Sequence, residues 1–562
     1  MSYSLVIRNA QIVDGTGRPA FAGDVGVQGD RIKSVGSVTS PNGARVIDAK
    51  GNVLAPGFID IHTHYDPQLC WDRYATPTPE HGVTSIIMGN CSVTLAPVRR
   101  GDRQRVIHLF GSVEDMEGRL LEETVPFSWE SFEEYLGYLK QGLGPNVGTF
   151  VGHAVLRFYV MGEAAQQRAA TDAEIATMGE VLRGALRAGA FGVSFTFNHL
   201  DEQGQALPCS YADRREKLAL MRIMAEEGRG MVEVAPNLLQ PDVALADIDE
   251  FGALALETGV TCSLSPTLQS PSNWRGLLRR YEEWRERGAP IFTQTQTRPL
   301  DMTTRLDQGS ASLAKLPTWR GVMDKALPER RRLFSDRSLR QQLEAEMIAQ
   351  RSIHRVWEAT SVKRAGAVAN QRYIGQLLRD ISEQEGRTLT DVLLDIALAD
   401  ELKTEFALIG YVHADVQAVA MLLDNPAVHV GSADAGAHIT QFSGAGDTCY
   451  LFQKFVREEK LMSLERAVQR LTGDLARDWC ITDRGFIAEG KFADLVLFDP
   501  DTIARGEERW VEDIPGGSGR YVRDAQGVEC VIVNGEVLVE RGRYAPVKPG
   551  RIVSCDHRPA GG

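Results

Sequence analysis

The sequence predicts an α/β fold: a closed (β/α)8 TIM barrel, flanked by a small β domain drawn from both ends of the chain. Three observations predict it. Eight apolar, β-branched runs recur along the chain, at 53–61, 83–88, 146–151, 191–195, 230–234, 260–264, 290–295 and 428–431. Helical patterns lie between them, as a parallel sheet requires. Short runs separated by turn residues gather at the two ends.

At the N-terminal end, runs at 4–8, 11–13, 23–27, 31–35 and 45–47 alternate with turns such as Asp14-Gly15 and Gly29-Asp30. They predict a small antiparallel unit. The matching stretches at the other end are 493–499 and 527–539, the latter with an Asn534-Gly535 turn. Within the barrel, Thr171-Asp-Ala-Glu174 is a capping box that opens a helix over 171–188. A second helix is predicted over 211–227. Between strands seven and eight lies an excursion from 300 to 425, with helical patterns at 337–350, 370–385 and 389–399 and a strand-like run at 354–361. A structureless loop that long would argue against the assignment. The patterns predict instead an inserted helical subdomain, a lid over the site.

The 562 residues are 43% hydrophobic and 24% charged, enough apolar mass for a large core. A net charge of −13, with no basic run interleaved with aromatics, argues against nucleic acid as a partner. No apolar run reaches the ~20 residues that span a bilayer, which argues against a membrane. The first residues lack the pattern of a signal peptide. The eight cysteines are scattered, without Cys-x-x-Cys, which fits a reducing cytoplasm.

The candidate chemistry gathers where strands end. The first strand runs into His62-Thr-His64. Residues two apart on a strand point the same way, so both imidazoles can face one metal ion. Asp60 is placed to orient one of their rings. Cys91 follows the second strand. As thiolate it would ligate zinc, and as thiol it is a small buried apolar residue. Asp434 follows the eighth strand, either as a metal ligand and proton acceptor or as a turn aspartate. His153 and His199, past strands three and four, are candidate ligands, substrate contacts or structural histidines. Glu233 on strand five is a candidate oxygen ligand. His438 is a candidate partner behind a ligand. Arg157 and Arg298 are candidate anchors for a substrate carboxylate.

Those motifs carry a resemblance. Ala55-Pro-Gly-Phe-Ile-Asp-Ile-His-Thr-His-Tyr-Asp66, Gly89-Asn-Cys91, Val151-Gly-His153 with Leu156-Arg157, Gly431-Ser-Ala-Asp434 and the stretch from Thr482 to Asp499 resemble the amidohydrolase superfamily, and within it the N-acyl-D-amino-acid deacylase group. The resemblance implies a β-sandwich made from both termini (1–56 and 480–562) and a metal-bearing barrel (57–479), within which the insertion read from the pattern lies at 300–425. It implies His62, His64, Cys91 and Asp434 as ligands, with Asp434 as catalytic base and acid. The group also carries histidines on strands five and six. Here those strands read Gly230-Met-Val-Glu-Val-Ala-Pro236 and Val260-Thr-Cys-Ser-Leu-Ser-Pro266, with none. One metal at the four residues is one reading. Two metals, with Glu233, His153 or His199 as substitutes, is the other.

The function expected is hydrolysis of a carbon–nitrogen amide bond in N-acyl (D-)amino acids or related small amides, using water activated by zinc or another divalent ion. Ring opening of a cyclic amide or imide is the alternative within the superfamily. A barrel without catalysis is the alternative outside it. The partner expected is a small-molecule amide, and a homo-oligomer is compatible with the sequence.

Overall fold

The computed structural model describes residues 3–38, 43–116, 118–201, 203–237, 240–270, 273–308, 310 and 312–557. At its centre, eight parallel strands form a ring. Phe58–Asp60 pairs with Val83–Met88, which pairs with Asn146–Thr149. Strand three breaks at Phe150, and its second half, Val151–Gly152, pairs onward with Gly192–Thr196. Met231–Ala235, Cys262–Leu264, Ile291–Thr295 and Val428–Val430 follow in order. The ring shuts where Thr63 bridges Ala435 in parallel.

One expected strand proves to be two. The run 53–61 divides at Gly57, where an added Cβ would lie 2.2 Å from the Thr84 side chain. Val53–Pro56 pairs antiparallel with Leu495–Phe498, while Phe58–Asp60 enters the barrel. The break lets one apolar run serve two sheets.

The terminal strands form a nine-stranded sheet that joins both ends of the chain through that pairing. The N-terminal unit is not purely antiparallel as expected: Arg45–Asp48 and Val53–Pro56 both lie parallel to Leu5–Ile12. Alternation decides which core each residue enters. Leu495 and Leu497 join the core of the terminal strands with Ile7 and Ile12, while Val496 and Phe498 face the main core.

The excursion has its own core around Trp319, Trp357, Leu393 and Phe406. A three-stranded antiparallel sheet (Met302–Thr304, Thr360–Arg364, Glu405–Leu408) underlies its helices. The strand-like run at 354–361 is mostly helix, Arg351–Glu358, because Ile353 and Trp357 share one helical face. The helix expected over 370–385 is a 3-10 turn, Val368–Tyr373, then Leu378–Glu385, divided near Gly375. Val416–Asp424 falls inside the expected excursion but packs on the barrel, burying Val419 and Leu423 in the main core. Asp172–Ala188 begins at the Thr171 capping box, and Arg214–Glu227 begins after Asp213.

Candidate metal centre

The barrel seam assembles the site through the backbone. The His64 N–H donates to the Ala435 carbonyl at 2.8 Å, and the Asp434 N–H donates to the His62 carbonyl at 3.0 Å. Strands one and eight therefore deliver two imidazoles and a carboxylate to one spot. Asp434 has φ +60° and Cys91 φ +51°, a region that side chains other than glycine rarely adopt. Strained backbone of this kind gathers at functional sites.

The His62 Nδ1 lies 2.9 Å from Gln294 Oε1, and Gln294 Nε2 donates to Ser263 Oγ at 3.2 Å. A proton on Nδ1 leaves the Nε2 lone pair free to face Cys91 Sγ at 3.5 Å and Asp434 Oδ1 at 3.7 Å. The His64 Nε2 is 3.0 Å from Asp434 Oδ1, and its Nδ1 is 3.1 Å from Glu114 Oε1. Potential ligand atoms thus form two triads that share His64: His62, His64 and Cys91, and His64, Glu114 and Asp434.

The charges call for a cation. Burial, with Glu233, Glu114 and Asp434 nearby, pushes the Cys91 thiol well up. Burial also raises Glu114 well above the carboxylate range and Glu233 to about 7. Burial holds the His62 imidazole below its ordinary value, so it stays neutral and able to ligate. Burial opposes ionisation of Asp434, but the His64 contact and the pull of His64, His438 and His62 outweigh it and hold the carboxyl low. Both ring nitrogens of His64 and Glu114 Oε1 are buried without a hydrogen-bond partner. A divalent ion at Nε2 would engage one of those nitrogens, leave the Nδ1–H for Glu114 Oε1, and offset the crowded acids. Two imidazoles, one thiol and carboxylates make a donor set suited to zinc.

The other expected residues divide into near and far. Glu233 stands behind the site, accepting from the Cys91 N–H at 3.0 Å and the Ser265 hydroxyl at 2.8 Å, 3.7 Å from His62 Nδ1. His438 Nδ1 contacts Asp115 Oδ2 at 2.6 Å, and its Nε2 lies 3.9 Å from Asp434 Oδ2. Burial lowers this imidazole, but Asp115 prevails and lifts it to about 10. His199 shares its Nδ1 with Thr196 Oγ1 at 2.8 Å, and burial lowers it to about 3.

His153 and Arg157 are elsewhere. His153 lies between Cys209 Sγ at 3.3 Å and Glu216 Oε1 at 2.7 Å, and Arg157 bonds Glu216 and the carbonyls of Ala165 and Arg168. Those partners take both ring nitrogens of His153 and hold the Arg157 guanidinium, away from His62 and His64. Arg298 is likewise committed, to Asp447 at 2.7 Å and the Ala433 carbonyl at 3.0 Å, where it supports the loop carrying Asp434. Asp60 accepts from the His62 backbone N–H at 3.4 Å, so Gln294 and not Asp60 orients that ring.

Sequence reasoning missed Glu114, Asp115 and Gln294. Glu114 ends the helix Arg103–Glu114, an amphipathic run with no strand end to mark it. Gln294 carried a readable signal: a long polar side chain near the end of a buried strand.

The sequence pattern of the amidohydrolase family matches residues 45–539. The chain belongs to the amidohydrolase family. Membership makes it a hydrolytic enzyme acting on amide bonds. Among curated members of the family, an N-acyl-D-aspartate deacylase of Alcaligenes xylosoxydans xylosoxydans is 29% identical, covering 98% of this chain and 94% of its own. The N-acyl-D-glutamate deacylase of the same organism is 27% identical, covering 99% and 98%. Among solved structures, the N-acyl-D-glutamate deacylase of Bordetella bronchiseptica, complexed with zinc and a phosphonate mimic of the tetrahedral intermediate, is 25% identical. It aligns with a TM-score of 0.67 over 98% of this chain and 100% of its own.

Proposed function

We propose that this enzyme hydrolyses the linear amide of N-acyl-D-amino acids, with zinc held by His62, His64, Cys91 and Asp434 and backed by Glu114 and Glu233. One observation carries the reading: Asp434 Oδ1 stands 3.0 Å from His64 Nε2 and 3.7 Å from His62 Nε2, and Cys91 Sγ lies 3.5 Å from that same His62 nitrogen. When bound, the ion supplies Lewis acidity toward the amide carbonyl and toward water. Asp434 accepts a proton from the attacking water and returns it to the leaving nitrogen, because an amine anion is a poor leaving group. His438 stays protonated near neutral pH and brings positive charge to a carboxylate or oxyanion beside Asp434.

A cavity of about 410 Å³ opens beside Asp115 and Ile439. Met116, Leu120 and Trp510 give it apolar wall, Lys403 gives it a cation, Arg305 lines it while paired with Asp307, and Asp115 and Glu512 add acids. That mixture suits an acyl chain joined to an amino-acid carboxylate. Arg305 and Lys403 come from the excursion, which supports reading 300–425, less its last helix, as a lid. The separate core of the terminal strands supports reading 1–56 and 480–562 as one sandwich-like domain beside a barrel of 57–479. All eight cysteines are free, which supports a cytoplasmic location. No helix among the described residues is long and apolar enough to cross a membrane.

The test is turnover by zinc-loaded protein on N-acetyl-D-aspartate, N-acetyl-D-glutamate and N-acetyl-D-leucine, their L-enantiomers, and cyclic imides. Release of free D-amino acid is the expected result. Preference for the imides would move the reading to ring opening. Stoichiometric zinc with no turnover on any of them would overturn the assignment to N-acyl-D-amino acids.

A further inference from the structure

The base of the barrel, at the N-terminal ends of the strands, carries a second group of soft ligands. The C-terminal segment crosses it. The Val147 N–H donates to the Arg551 carbonyl at 2.8 Å, and the Val553 N–H returns to Val147 at 2.9 Å. The Gly230 N–H donates to the Cys555 carbonyl at 3.0 Å, and the His557 N–H to the Gly228 carbonyl at 3.0 Å. This places Cys555 and His557 against the start of strand five. Cys480 reaches the same point from the loop after Gly473–Asp478.

We propose that Cys480, Cys555 and His557 form a second metal site, for a thiophilic divalent ion of the zinc type, that staples the C-terminal segment to the barrel. One ligand atom from each lies within 4.8 Å of the others. The His557 Nε2 is 2.8 Å from the Gly230 carbonyl oxygen, so it donates there and leaves Nδ1 as the lone-pair nitrogen. Nδ1 faces Cys480 Sγ at 3.2 Å. A ligating histidine holds its other N–H on a carbonyl in this way. Tetrahedral zinc, with bonds of about 2.0 Å to nitrogen and 2.3 Å to sulfur, sets neighbouring ligands roughly 3.5 Å apart. Cys480 also has φ +54°, a position after a helix that glycine or asparagine usually takes.

The fourth position faces solvent. A cavity of about 380 Å³ is lined by Cys480, Thr482, Asp483 and Asp556, and water can complete the shell. Binding releases the two thiol protons to solvent, and no oxidant or reductant takes part. This site and the catalytic centre lie at opposite ends of the strands, so the inference does not depend on the substrate.

The experiment is elemental analysis of full-length protein equilibrated with zinc and freed of excess, wild type against C480S/C555S. The variant should hold one equivalent less, with turnover unchanged, and a chelator that strips the second ion should lower the Tm of wild type alone. Equal zinc in both proteins overturns the proposal. So does a Cys480–Cys555 disulfide in protein isolated without reductant, seen as the loss of two hydrogens by mass spectrometry. Should the double variant not fold, alkylation of wild-type Cys480 decides. Zinc should slow it at least tenfold, and no protection overturns the site.

Discussion

The backbone N–H of Asp434 donates to the carbonyl of His62 at 3.0 Å, so the last of the proposed ligands along the barrel is hung from the first. That bond sets the carboxylate against His64 without help from side-chain packing. Substituting Asp434→Asn keeps the backbone bond and nearly the same volume but removes the proton acceptor. The expected outcome is a fall in kcat of at least 10²-fold, the scale of general acid–base catalysis, with Tm near that of wild type. Steady-state kinetics and a thermal melt of the same sample check it. A kcat within a few-fold of wild type would remove Asp434 from proton transfer.

What could be read beforehand followed from periodicity. Strand ends named His62, His64, Cys91 and Asp434, because apolar runs mark where a barrel strand stops. The same logic left His153 open between ligand, substrate contact and structural histidine, and offered Arg157 as a candidate anchor. Both follow a strand in sequence, but the helix His153–Met161 starts there and turns them onto Glu216. Glu114 was invisible for the opposite reason: a helix outside the sheet carries it in, and no local pattern records a contact 50 residues from His64.

Glu216 is the keystone of that buried polar group. It pairs with Arg157 and lies 2.7 Å from His153, all three inaccessible to solvent. Glu216→Ala leaves a guanidinium buried and unpaired. The expected loss is about 3–5 kcal/mol of stability, read by denaturant unfolding. Because Ser92 Oγ contacts Cys209, the neighbour of His153, a less stable but folded variant should also bind metal more weakly at Cys91.

Acid should weaken the fold through the helix cap at Thr171. Two bonds from Arg168, and then the Thr171 N–H, hold Glu174 down at about 2, below its ordinary 4.5. A carboxyl depressed in the folded state contributes stability above its unfolded value and loses it as pH falls through the folded one. The contribution is therefore present above about pH 4.5 and gone near pH 2. Glu174→Gln should lower Tm slightly at pH 7 and flatten the Tm–pH curve between those limits. A parallel shift of the whole curve would contradict the assignment. The partners are largely solvent-exposed, so high salt should shrink the difference.

Glu114 tests the centre from behind. Its Oε1 stands 3.1 Å from His64 Nδ1, and the His438 N–H donates to the Glu114 carbonyl at 2.9 Å, tying this helix end to the strand-eight loop. With the ion bound, a carboxylate there fixes the His64 tautomer and strengthens Nε2 as a donor. Glu114→Gln keeps the shape and removes the charge. Metal affinity should fall 10- to 100-fold, measured by competition with a chromophoric chelator, while kcat at saturating zinc changes far less. Direct ligation by Glu114 is the competing arrangement, since it shares a triad with His64 and Asp434. In that case kcat would fall with affinity even at saturation, and the split between the two readouts separates a residue that orients His64 from one that binds the ion.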